Sequence, residues 1–184
     1  MVTEDQGVEV SMSGPKGGEM IFRLSQKLAR KIKIQPTVHA DPSPNPYIDW
    51  TGHLFTAGRT QYIIITNTAS LLSIIFHGRG VTDDNLFVLR TLVLMKEYLW
   101  EDPFTFFFPG VIEPYTNRVL FSRSVDKRVI GSMNDLISNA RHHLIRDGLS
   151  PFKAAQRINE MPMSLLGSDT PGSAFRRLRL DPRT

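Results

Sequence analysis

Residues 45–67 hold the side chains of this chain whose types and spacing could do chemistry. Asp49, Trp50, His53 and Arg59 occur in this segment, which reads NPYIDWTGHLFTAGRTQYIIITN. Asp49 and His53 are four residues apart, a spacing that would place a carboxylate and an imidazole on one side of a helical turn. Such a pair is typical of an acid-base dyad or of two ligands of a metal ion.

The alternative interpretation of this pair is structural. A catalytic zinc ion needs three protein ligands, and no third ligand follows Asp49 and His53 at a suitable spacing in this cysteine-free chain. Asp49 would then cap the turn before a strand, and His53 would hydrogen-bond to the backbone, which is the more frequent role of polar side chains at turns. We therefore predict neither a metal site nor a cofactor.

Arg59 and a polar group in a later helix are the other candidates. Arg59 lies at the tip of an expected hairpin, where a guanidinium can clamp a carboxylate or a phosphate. Asn134 and Asp135 follow Gly131, which costs about 1 kcal/mol relative to Ala inside a helix and so predicts close packing or the approach of a ligand. If the fold brings these side chains to the carboxylate-imidazole pair, a small enzyme or ligand-binding site is predicted.

The charge balance is compatible with an anionic partner. Residues 1–19 carry a net charge of −3, so residues 20–184 carry +7 of the total of +4. Basic side chains form three clusters, which comprise Lys27, Arg30, Lys31 and Lys33, then Arg141, Arg146 and Arg157, then Arg176, Arg177 and Arg179. The first cluster could bind nucleic acid or another polyanion. The alternative interpretation is that all three clusters are simply solvent-exposed faces of helices. The sequence has no helix-turn-helix, zinc-finger or RNA-recognition signature.

Length and composition indicate an ordinary globular domain. A chain of 184 residues with 41% hydrophobic residues can form one core, so we expect a single domain over residues 20–180, a flexible extension over residues 1–19 and a short tail over residues 181–184. No apolar run reaches the roughly 18 residues that span a bilayer. With no cysteine and no signal pattern at the start, a cytoplasmic protein without membrane contact is expected.

Hydrophobic periodicity and turn signals predict the strands and helices that position these candidate site residues. The predicted strands cover residues 20–23, 53–56, 61–66, 71–76, 104–108 and 118–121. The predicted helices cover residues 25–33, 82–100, 126–146 and 150–160. This mixed order predicts an α+β fold, in which an antiparallel meander is packed by several helices and the helix over residues 82–100 is largely buried. The phenylalanine-rich strand over residues 104–108 has two apolar faces, which favours a core position or, alternatively, a homodimer.

Three separated motifs carry a resemblance to a known family. IFRLSQKLARKIKI, then DWTGHLF with GRTQYIIITN, and finally SVDKRVIGSMNDL occur in that order. Together they resemble an uncharacterised bacterial family of a domain of unknown function, over roughly residues 20–180. The resemblance implies no activity, cofactor or partner, and the long acidic start departs from the family pattern.

Two functions stay open at this point. The first is a small cytoplasmic binding or regulatory module that contacts a polyanion. The second is a small enzyme or ligand-binding protein with a site around Asp49, His53 and Arg59, to which Asn134 and Asp135 contribute. The two differ in whether the fold gathers these side chains in one open cleft.

Overall fold

The computed structural model describes residues 18–36, 39–101, 104–124 and 126–180. The predicted tail over residues 181–184 lies outside these ranges, as does the predicted extension except for Gly18 and Glu19. The strands are β1 (Met20–Leu24), β2 (Asp49–Ala57), β3 (Thr60–Asn67), β4 (Ser73–His77) and β5 (Val119–Arg123). The helices are α1 (Gln26–Lys31), α2 (Asp84–Leu99), α3 (Lys127–Ile145), α4 (Pro151–Asn159) and α5 (Pro171–Arg177). Of the helices in the described ranges, none has the length and apolar character needed to cross a membrane.

The five strands form one mixed sheet in the order β4-β3-β2-β1-β5. The predicted meander is correct for β2, β3 and β4, which pair antiparallel. The prediction of a wholly antiparallel sheet is wrong, because β1 pairs parallel with both β2 and β5. Parallel neighbours require long crossover connections, and the connection from β1 to β2 contains α1 and residues 35–46, a proline-rich segment with four prolines. The α+β class is confirmed.

Side-chain caps begin the helices where the sequence supplies an oxygen acceptor. Ser25 accepts a hydrogen bond from Leu28 N–H at the start of α1, and Ser150 caps α4 in the same way. The cap of α2 is Asp83, so this helix begins at Asp84 and not at the predicted residue 82. The helix α5 is absent from the predicted elements, although Thr170 before a proline repeats the signal that begins α4.

Aromatic side chains connect the sheet to the helices that cover it. Phe22 of β1 contacts Phe87 of α2 edge-on, with ring centroids 5.2 Å apart. Trp50 of β2 is fully buried and contacts Phe175 of α5 at 6.1 Å. The helix α5 thus completes the core beside β2. Because β3 lies between two strands and its Ile63, Ile64 and Ile65 are all fully buried, it is covered on both faces, as its sequence indicates.

Two further expectations about the elements are wrong, and one of the two explanations of Gly131 is excluded. Residues 104–107 form a turn, and the wide helical turn Phe108–Ile112 replaces the predicted strand, since Pro109 cannot donate to a ladder. The helix α2 is not largely buried, because it exposes Leu86, Leu89 and Val93 on one side and Trp100 follows at its end. A Cβ atom added to Gly131 would meet no atom within 4 Å, so close packing does not explain this glycine.

Candidate functional site

Asp49 lies in a buried ion pair rather than in an open site. Its two carboxylate oxygens each accept a hydrogen bond of 2.8 Å from the guanidinium of Arg23 on β1. Arg23 also donates to the carbonyl oxygens of Ala40 and Asp41 at 2.8 and 3.0 Å. The hydrogen bond to Asp49 raises the pKa of Arg23. This bidentate pair therefore links β1 to β2 and holds Ala40 and Asp41 of the proline-rich segment against them.

Further hydrogen bonds occupy the remaining acceptor positions of Asp49. The hydroxyl of Thr68 donates to one carboxylate oxygen at 3.0 Å, and the backbone N–H of Ser43 donates to the other at 3.3 Å. Asp49 is 4% exposed. A carboxylate so satisfied is poorly suited to accept a proton from a substrate. The expected helical turn is also wrong, since Asp49 and His53 lie on the strand β2, where four residues span roughly 13 Å.

His53 lies at a part of β2 that extends beyond β1. The parallel pairing with β1 covers only Asp49 to Gly52, and the register with β3 directs the backbone groups of Leu54 and Thr56 to the same side as β1. Arg141 of α3 reaches this open part of the edge, where its Nε–H donates to the carbonyl oxygen of Thr56 at 2.9 Å. The edge of β2 is therefore partly covered by a helix and partly open.

A cavity of about 390 Å³ is present at this open part of β2. The side chains that surround it come from α1, β2, β3 and α3, and they are Lys27, His53, Leu54, Phe55, Thr56, Gln61, Asn134, Ile137 and Arg141. We name it the edge cavity. Of the described residues that line it, two are permanent cations and none carries a carboxylate. Arg141 also stacks over the ring of Phe55, with 5.9 Å from its guanidinium carbon to the ring centroid.

The environment of His53 favours the neutral form of its imidazole. Partial burial lowers its pKa, and the positive charges of Lys27 and Arg141 lower it further. A neutral imidazole can donate one hydrogen bond and accept another. The edge cavity thus combines a neutral imidazole, an amide from Asn134 and two cations. Such a set of donors suits an anion.

The other predicted site residues lie elsewhere. Arg59 is exposed in the two-residue turn between β2 and β3, as expected, but it does not line the edge cavity. Asp135 is exposed on α3 and is likewise outside the lining. Arg30 and Lys31 lie on α1, where only Lys27 of the basic cluster reaches the cavity. Of the predicted site residues, His53 and Asn134 therefore line the same cavity, whereas Asp49, Arg59 and Asp135 do not line it.

Arg23 and Arg141 are important in this region, but neither is among the predicted site residues. For Arg23 the sequence does contain a signal, because an arginine inside the apolar strand IFRL indicates a buried charge that needs a partner. Arg141 is recognisable only as part of a basic cluster. Its role depends on the approach of α3 to the end of β2, which spacing along the chain does not encode. In the described part of the chain, no group of three or more His, Asp or Glu side chains is arranged to hold a metal ion.

Comparison with known proteins identifies the family. Residues 21–173 match the model of a domain of unknown function, DUF6933. The chain belongs to the DUF6933 family. The matched region contains the helices α1 to α4, all of the sheet except Met20, and every residue of the edge cavity. A comparison with curated proteins finds no match.

Membership of the DUF6933 family brings no activity with it. The resemblance to an uncharacterised family is confirmed by the match. The function must therefore be argued from the geometry and the electrostatics of the edge cavity.

Proposed function

We propose that the protein is a binding module whose edge cavity holds an anionic group, either a carboxylate or a phosphate. The observation that carries this proposal is the lining of the cavity, in which Lys27 and Arg141 approach a neutral His53 with no carboxylate among the lining residues. Arg141 commits its Nε–H to the carbonyl oxygen of Thr56, which leaves its terminal N–H groups for a ligand. An anion would accept hydrogen bonds from these groups and from the ammonium of Lys27.

The shape of the site supports binding more than catalysis. A cavity of about 390 Å³ is within the size range of small-ligand pockets, and its apolar wall of Leu54, Phe55 and Ile137 can accommodate the body of a small ligand. Asp49, the carboxylate that an acid-base mechanism would use, is committed to Arg23. Asp49 is therefore not available as the base of an enzyme mechanism, whereas Lys27 and Arg141 are available to bind an anion.

The test is a titration with defined anions, followed by nuclear magnetic resonance of the protein. Inorganic phosphate and acetate are added separately, and we expect shifts of the His53 and Asn134 side-chain signals. The Lys27→Gln and Arg141→Gln variants should each weaken binding by about tenfold to a hundredfold, since a hydrogen bond to a charged group contributes about 1.5 to 3 kcal/mol.

The matched control is Arg30→Gln, which removes a cation from the same helix as Lys27 but outside the cavity. We expect its affinity for both anions to equal that of the unaltered protein. If all three variants weaken binding equally, the anions respond to the general positive charge of the molecule, and the proposal of a defined site is wrong.

A further inference from the structure

Four large apolar side chains of α2 and its C-terminal end are open to solvent. They are Leu86, Leu89, Val93 and Trp100, which are 42%, 61%, 56% and 59% exposed. The backbone of Trp100 keeps helical dihedral angles, so the four positions fall within about 60° of one another around the helix axis. We name these four residues the α2 stripe. None of them lines the edge cavity.

The opposite face of α2 already belongs to the core of the protein. Phe87, Met95 and Leu99 are fully buried there, and Phe87 contacts Phe22 of β1. A surface helix ordinarily turns a polar face to water, whereas α2 is apolar on two opposite faces. The exposed parts of the α2 stripe amount to on the order of 400 Å², a size at which an apolar patch marks a contact surface.

Two charges beside the α2 stripe are arranged for an antiparallel partner. Arg90 and Glu97 lie on one flank of the stripe, about two helical turns apart, and both are exposed. A second α2 that runs in the opposite direction presents the same flank, so that Glu97 of each copy lies opposite Arg90 of the other. In a parallel pair, the two flanks would lie on opposite sides of the contact and could not meet.

Both of these charges are available for a partner. Within the described ranges, neither Arg90 nor Glu97 forms an ion pair in its own chain. Arg90 donates one terminal N–H to the carbonyl oxygen of Arg79 at 2.9 Å, which leaves its other terminal nitrogen for a carboxylate. On the opposite flank, Lys96 lies 3.7 Å from a carboxylate oxygen of Glu113, so its charge is partly neutralised within the chain.

The apolar residues fit the same antiparallel arrangement. A two-fold axis that places Arg90 opposite Glu97 passes between Val93 and Leu94, so Val93 lies against its own symmetry mate. Leu86 then meets Trp100 of the second copy within one residue's rise of about 1.5 Å. Leu89 of the second copy lies at a level between Val93 and Trp100. The α2 stripe is therefore self-complementary, as a two-fold interface requires.

We infer that the α2 stripe joins two copies of this chain in an antiparallel, two-fold dimer. Val93 and its symmetry mate form the centre of the contact, Leu86 and Trp100 of opposite copies pack at each end, and Arg90 pairs with Glu97 of the second copy. The stripe and its flanks are small for a specific interface, so we expect a dissociation constant on the order of 10 μM.

Analytical ultracentrifugation of the full-length protein measures this association. Between roughly 1 and 300 μM, the mass should rise from the 20.8 kDa of one chain towards twice that value. Acrylamide quenching of tryptophan fluorescence gives a local measurement, because Trp100 is exposed and Trp50 is fully buried. Quenching should decrease as the protein concentration increases.

Charge reversal tests the direction of the contact. Arg90→Glu and Glu97→Arg should each weaken association at least about tenfold, because each places like charges together twice across the two-fold axis. The double variant Arg90→Glu, Glu97→Arg should restore association to within about threefold. The matched control is Arg59→Glu, which makes the same change of charge in the turn after β2 and should leave association unchanged.

The central contact has its own variant. Val93→Glu places two carboxylates together at the two-fold axis and should keep the protein monomeric at every concentration. A mass of one chain for the unaltered protein throughout, a dimer that persists in Val93→Glu, or a double variant without restored association would each overturn the inference. Weak quenching of Trp100 at every concentration would show that another segment of the same chain covers the stripe, and would also overturn it.

Discussion

At the scale of single residues, the surroundings of Asp49 and Asp135 give these two carboxylates different contributions to stability. Asp49 is buried and paired with Arg23, whereas Asp135 is exposed on α3. We predict that Asp49→Ala lowers the free energy of unfolding by roughly 3 to 5 kcal/mol, since it leaves a buried guanidinium without its partner. Asp135→Ala should change it by less than about 0.5 kcal/mol. Urea denaturation of both variants measures this, and an equal effect would contradict the structural role of Asp49.

The pKa of His53 makes a second prediction at this scale. Its pKa in the folded protein lies below the ordinary 6.5, so the unfolded chain takes up a proton at a pH where the folded protein does not. Folding stability should therefore fall as the pH decreases below about 6.5. Urea denaturation at pH 7.5 and pH 5 should show a smaller loss for His53→Gln than for the unaltered protein. The same loss in both would show that other groups cause it.

Bound phosphate should oppose the lowering of the His53 pKa. An anion beside His53 favours the protonated imidazole, so its pKa should rise when phosphate fills the edge cavity. Titration of the imidazole signals with and without phosphate measures the shift. A pKa that does not change with phosphate would place the anion elsewhere.

At the scale of elements, two glycines have opposite surroundings. A Cβ atom on Gly52 of β2 would lie 2.8 Å from a methyl group of Leu28 and 3.1 Å from one of Ile65, so Gly52 permits α1 to approach the sheet. We predict that Gly52→Ala lowers the free energy of unfolding by about 1 to 3 kcal/mol through overpacking. Gly131→Ala, within the exposed face of α3, should raise it by about 0.5 to 1 kcal/mol. Thermal unfolding of the pair distinguishes them, and a stabilised Gly52→Ala would contradict the close approach.

Local sequence signals predict most of the strands and helices, but they do not predict how these elements pair and pack. The caps Ser25 and Ser150 and the hairpin turn at Gly58 are encoded within a few residues, so the elements beside them are predictable. The direction of β1 is not, because strand direction depends on a long connection and leaves no local periodicity. For the same reason, His53 and Asn134 are recognisable as separate candidates, but the cavity that joins them and its basic Arg141 depend on the docking of α3.

At the scale of the whole molecule, the net charge of +4 makes a prediction about polyanions. If Lys27, Arg30 and Lys31 bind phosphates, a gel-shift assay should show retardation of nucleic acid at low salt that disappears as salt increases. Replacing all three with Gln should reduce the slope of log affinity against log salt by roughly 0.9 for each phosphate that the variant no longer neutralises. Absence of retardation at low salt would leave the edge cavity as the anion site of α1, without a polyanion partner.

The position of β1 between β2 and β5 has a consequence for synthesis of the protein. About 95 residues separate Leu24 from Val119, and β5 closes the second edge of β1. At typical translation rates this edge stays unpaired for roughly 5 to 20 s after β1 leaves the ribosome. During that interval a largely apolar strand is open to pairing with another nascent chain. We therefore expect the yield of soluble protein to depend on chaperones and on growth temperature more strongly than the modest size of the chain would indicate.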